Sequence, residues 1–245
     1  MAVGNAGRRG VVVAVDGFDD AVGIFLPDDG IGELTVEGTN GNPNTFQLEE
    51  LSELDQKYLR VMVPPKLAVD VKTQSKLIPH KEAFDITTID ETYKNMATVL
   101  ITKKSQRPFT SRLKIEVFLI AEEVEDSNYI LLNLTAGDFI LPSVTKGAEV
   151  EFETRPVKTV IFKDVISDAM KGEDFAGYLV VVTTLQDEIV LMDSNISKWL
   201  KDPEVIENLR ELAIRGAPSP RSRHFDQTGK KVPPPRPAHK GATSR

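Results

Sequence analysis

The chain has 245 residues, near the upper end for one domain and comfortable for two small ones. Hydrophobic residues make up 40% and charged residues 27%, which excludes a fibrous or wholly disordered chain. The net charge of -7 hides an asymmetry: residues 215–245 hold eight basic residues and one acid, so this tail carries +7 and the remaining 214 residues carry -14.

The absence of Cys excludes disulfides, a Cys-based zinc site and a thiol nucleophile. Of the three His, His224 and His239 lie in the tail. A His-based metal centre or a Ser-His-Asp triad would have to depend on His80. No run of about 18 apolar residues offers a membrane span. Met1 to Gly10 is rich in Gly and Ala, with Arg8 and Arg9, and has no apolar signal-peptide core. The Gly4 to Gly10 stretch also lacks the Lys-Ser/Thr ending of a phosphate loop.

Residues 11–63 read as a small β module. Val11 to Val15, Gly23 to Leu26, Glu33 to Glu37 and Thr45 to Leu48 are short strand candidates. Asp16-Gly17, Asp28-Asp29-Gly30 and Asn40 to Asn44 supply turns between them. A helix follows from Leu51 to Leu59, with Ser52 as N-cap, Asp55 answering it, and Leu51, Leu54, Tyr58 and Leu59 as an apolar stripe. Pro64-Pro65 stops the helix and stiffens the linker.

From Lys66 the period becomes two. Strands are predicted from Leu67 through Val71, over Ala83 to Ile89 and Tyr93 to Lys103, from Leu113 through Leu119, and over Tyr129 to Leu134. Further strands are predicted over Ala148 to Glu153, Val157 to Phe162, Gly177 to Thr184 and Glu188 to Met192. Leu185-Gln186-Asp187 makes the last pair a hairpin. In Ala148 to Glu153 an apolar face alternates with the acidic face Glu149, Glu151 and Glu153. About eight strands separated by turns, with no helices alternating, predict an all-β, immunoglobulin-like antiparallel β-sandwich over residues 66–214.

A helix closes this domain. Asp202 caps it, Pro203 takes the first position, and Val205, Ile206, Leu209, Leu212 and Ala213 share a face. Gly216 terminates it. The only Trp, Trp199, is expected to pack the helix on the sandwich. Beyond it, residues 215–245 hold six of the fifteen Pro and almost no apolar side chains besides Phe225 and Val232. That predicts a disordered basic Pro-rich tail, with polyproline II over Pro233 to Pro237.

The segment Thr45 to Leu59, TFQLEELSELDQKYL, resembles the end of a Sla-homology module, a small Src-homology-three-like β barrel whose last strand runs into such a helix. The order of this module, a Pro-Pro linker and an alternating strand is similar to secreted planctomycete and verrucomicrobial proteins. Among these are immunoglobulin-like surface proteins encoded with type IV pilus components. The resemblance implies a three-part chain: the module over 1–63, the sandwich with its helix over 66–214, and the tail. It implies a secreted or cell-envelope location (periplasm or outer surface) with the leader removed, and no catalytic residues.

Three constellations offer candidate sites. Asp16, Asp19, Asp20, Asp28 and Asp29 suit calcium chemistry but lack EF-hand spacing and read as turn residues. Glu122, Glu123, Glu125 and Asp126 could furnish a glycosidase carboxylate pair, but they read as residues leading into a turn. His80 reads as a loop histidine. No catalytic, metal or cofactor site is therefore expected, and the chain reads as non-enzymatic. The expected role is an envelope or surface protein acting through protein-protein contacts. Its expected partners are other envelope or pilus proteins or further copies of itself. Nucleic acid is not expected, and the basic tail offers contact to acidic surfaces. A glycan-binding surface module and a cytoplasmic adaptor using its tail are the alternatives.

Overall fold

The computed structural model describes residues 11–13, 22–25, 33–37, 43–47, 52–62, 64–79, 88–104, 109–125, 128–141, 147–196, 203–214, 224–226 and 228–233. The first four strands, β1 (Val11–Val13), β2 (Val22–Phe25), β3 (Glu33–Glu37) and β4 (Pro43–Gln47), form an antiparallel meander in that order. Pro43 opens its strand, where a missing N–H is tolerated. Helix α1 (Glu53–Met62) begins as predicted: Gln56 N–H donates to the Ser52 carbonyl at 2.9 Å. Leu54, however, in the first turn of the predicted apolar stripe, is 77% exposed.

The predicted all-β antiparallel sandwich is observed. It comprises β5 (Leu67–Ile78), β6 (Thr88–Lys103), β7 (Leu113–Glu123), β8 (Tyr129–Phe139), β9 (Glu149–Glu153), β10 (Val157–Asp164), β11 (Met170–Thr184) and β12 (Ile189–Ser194). In one sheet β5 pairs with β6 along its length, so β9 and β10 share the opposite edge of β6. In the other sheet the order is β8-β7-β11-β12.

Strand β11 belongs to both sheets. Met170 to Gly172 pair with β10, and from Glu173 onward the strand pairs with β7. Gly172 makes this transfer possible. Its φ is +113°, and a Cβ there would lie 2.2 Å from the Val160 carbonyl oxygen. A bulge follows between Phe175 and Gly177. The Asn195 side chain occupies the space a Cβ on Gly177 would need, accepting from Tyr178 N–H at 2.9 Å and donating to the Ala176 carbonyl at 3.1 Å. The sequence predicts the strand from Gly177; the two glycines instead mark a sheet transfer and a bulge inside one longer strand. Likewise β6, predicted from Tyr93, begins at Thr88 and takes in Ile89.

The second sheet is buried on both faces, which explains the near-continuous apolar run Val117 to Ala121. Toward the first sheet, Ile115, Val117, Val180 and Val182 pack with Val99, Ile101 and Phe139; Phe152 meets Phe139 edge-on at 5.3 Å. On the far side, Phe118, Ile120, Leu131, Leu179 and Val181 pack against Val205, Ile206, Leu209 and Leu212 of α2 (Pro203–Ile214). The predicted stripe of α2 is therefore its buried face. Arg210 fixes the helix laterally: its Nε donates to both Glu116 oxygens at 3.0 and 2.9 Å, and its terminal nitrogen also contacts Glu116. Trp199 lies outside the described residues.

Two sequence expectations are corrected. Phe162, the aromatic that ends the predicted strand Val157 to Phe162 and is expected from alternation at a core position, is 41% exposed on the outer face of the first sheet. The tail is not disordered throughout. Strand β13 (His224–Phe225) pairs with the open edge of β8, and Phe225 is fully buried against Tyr129, with ring centroids 5.7 Å apart. A tight turn holds the returning chain. Asp226 accepts from Thr228 N–H at 2.8 Å and Lys230 N–H at 3.1 Å, and Val232 N–H donates to the His224 carbonyl at 3.0 Å. Burial alone would raise the Asp226 carboxyl; the Thr228 and Lys230 donors hold it below its usual range. One aromatic in register with an unpaired strand outweighs the polar average of the segment.

Candidate interaction surfaces

The predicted acid cluster before residue 127 separates into two environments. Glu123, the last residue of β7, is buried, with Oε1 at 3.0 Å from His224 Nε2 and Oε2 accepting from Asn128 Nδ2 at 3.1 Å. Its neighbour across the ladder is Glu173. Burial raises the Glu173 carboxyl above its usual range; Glu123 adds to the effect and His224 opposes it. Glu125 lies apart, paired with Lys171 at 3.1 Å. Both Glu123 oxygens are thus engaged in fastening β13 and the β7–β8 turn. His224, which the sequence places in a solvated tail, is 5% exposed, and its Nδ1 is buried without a hydrogen-bond partner among the described residues. Nothing in the sequence spacing brings His224 to Glu123; the pairing of β13 with β8 does.

Asp126, Asp16, Asp19, Asp20, Asp28, Asp29, His80 and His239 lie outside the described residues. Among the described residues no group of three or more Asp, Glu and His side chains converges as a metal site. No helix among them is long and apolar enough to cross a membrane. A depression between α2 and the C-terminal turn, lined by Asn208, Glu211, Leu212, Gly229 and Lys231, has a volume of about 40 Å³. That is room for about one water rather than an organic ligand.

The outer face of the first sheet carries the strongest charge pattern. Core residues on β6 are Ala97, Val99 and Ile101, so alternation turns the even-numbered side chains outward. Lys94 on β6 is directly opposite Lys76 on β5 and Lys158 on β10. The three exposed ammonium groups form one row across three adjacent strands, and none has an ion-pair partner among the described residues. Like charges directly opposite each other destabilise a sheet. Six residues along β6, Leu100 pairs with Asp70 on one side and Glu151 on the other, and Glu149 and Glu153 flank Glu151 on the same face. The sequence correctly predicts the exposed acidic face of β9. The lysine row was not predicted, since it exists only once the register of three strands is set.

Among the described residues the open edge of the first sheet is β5, which pairs there with β6 alone over 12 residues. Residues 72–77 are all exposed. Here one side of the backbone presents N–H and C=O groups to solvent, the geometry to which a further strand can add.

No protein-family model matches the chain. No curated protein matches it. Similarity to solved structures is limited. A structural-genomics target designated SoR45 shares 10% identity at a TM-score of 0.25, over 51% of this chain and 84% of that one. A protein from Akkermansia muciniphila shares 15% at 0.20, over 57% and 78%. The putative ApaA protein from Bordetella pertussis shares 12% at 0.25, over 54% and 95%. The fold assignment accordingly rests on the register and core described above.

Proposed function

We propose that this chain is a non-enzymatic cell-envelope or surface protein that acts through protein-protein contacts, in association with a type IV pilus-like assembly. The observation that carries the contact reading is the exposed edge of β5, a 12-residue strand paired on one side only. A partner strand would gain main-chain hydrogen bonds there without displacing any described strand of the sandwich. The envelope and pilus parts draw on the resemblance of residues 45–59 and of the module–linker–sandwich order. The polar pairs support the same reading: buried Glu123 with His224, and half-buried Arg210 with Glu116, hold elements of the fold together.

The test is site-specific photo-crosslinking in the native cells, with the crosslinker at Gln74 on the open edge. Adducts with envelope or pilus proteins are the expected result. Adducts with cytoplasmic proteins alone, or a chain found wholly in the cytoplasm on fractionation, would overturn the reading.

A further inference from the structure

The outer face of the first sheet is self-complementary, and we infer that it docks a second copy of this chain, face to face about a two-fold axis.

The axis would run across the strands at the level of β6 residue 97, midway between the row of Lys94 and the row of Leu100. Those rows are about 20 Å apart along the strand. A two-fold axis lying in the plane of contact brings each row of one copy over the other row of its mate. Register then fixes the partners. Lys76 of one copy meets Asp70 of the other, and Lys158 meets Glu151, because Lys76 and Asp70 lie on β5 while Lys158 and Glu151 lie on the strands at the other edge of β6. Symmetry repeats both contacts, and Lys94 is placed over Leu100. Met96 and Thr98, both half-buried, stand at the centre.

Protection of an open edge accounts for Lys72 and Lys76 on β5. It does not account for Lys94 on the interior strand β6, nor for its like-charged neighbour Lys158. In the dimer Asp70 and Glu151 supply counter-charges to Lys76 and Lys158 at the two ends of the row, which those lysines lack among the described residues, and they flank Lys94 on both sides. The contact adds a partner to the protein-contact reading and is independent of cellular location, so the two can fail separately.

The experiment is sedimentation velocity on the purified full chain at low and high salt, with three variants: Lys158→Glu, Glu151→Lys and the double exchange. All positions are exposed, so folding is preserved, which circular dichroism verifies. The expected result is a salt-sensitive dimer whose Kd rises at least about tenfold in each single variant. It returns to within a few-fold of the original value in the double exchange. An equimolar mixture of the two single variants should also dimerise, since each contact then joins opposite charges. A chain that stays monomeric at low salt overturns the proposal. So does a dimer insensitive to both reversals, or a monomer that binds heparin through Lys94 and Lys158 instead.

Discussion

At the scale of single residues, the junction of β13 with the second sheet brings together buried Glu123, buried His224 and half-buried Glu173. Glu173 is the informative member. Its carboxyl titrates above the usual range because burial, and then the charge of Glu123 across the ladder, disfavour the ionised form. A carboxylic acid whose folded pKa is raised binds protons more tightly in the folded state. Its ionisation penalty is therefore absent below the unfolded value, develops as pH rises to the folded value, and is full above it. Glu173→Gln should raise the Tm at pH 7 and leave it almost unchanged at pH 3.5, as read by thermal unfolding at the two pH values. An equal shift at both would assign the effect to packing instead. No such role could be read from the sequence, where Glu173 is one of 37 acids. Its environment is created by the register Glu173–Glu123 and by His224, 51 positions further along the chain.

Among elements, legibility in the sequence followed the range of the interactions. Features set by neighbouring residues were readable: the alternation of Ala148 to Glu153, the Leu185 to Asp187 hairpin, and the Pro start and apolar stripe of α2 all match the structure, while the predicted cap Asp202 lies outside the described residues. Features set by partners distant in sequence were not. The extension of β11 back to Met170, the lysine row and strand β13 depend on long-range register. Strand β13 shows the consequence most directly. Phe225 is fully buried, so Phe225→Ala should cost about 3–5 kcal/mol in urea-induced unfolding. Phe162→Ala, at an outer-face position, should change stability by less than about 1 kcal/mol. Similar values for the two would refute the docking of β13.

For the whole molecule, the second sheet, extended at its β8 edge by β13, is an interior layer between the first sheet and α2. A chain ending at residue 196 would keep both sheets but uncover Phe118, Ile120, Leu131, Leu179 and Val181. Such an apolar surface is an association site. The truncated chain should bind the dye ANS strongly and form large oligomers in light scattering, whereas the full chain should do neither. A soluble, dye-negative truncated chain would show that α2 is dispensable as a cover. The charge balance is divided along the same lines. Eight of the 30 basic residues, against one acid, lie in residues 215–245, of which 224–226 and 228–233 are the described part, with β13 paired to β8 and followed by a turn.

The double membership of β11 also sets a schedule. Leu113, at the start of β7, finds its ladder partner at Thr184, and β10 reaches β7's sheet only through Met170 to Gly172. During synthesis at about 5–20 residues per second, β7 must wait several seconds for that strand to leave the ribosome. Over that interval the edge of β7 that later receives β11 stays open. The slowest and most hazardous part of this protein's existence should therefore be its birth, when one late strand closes two sheets at once.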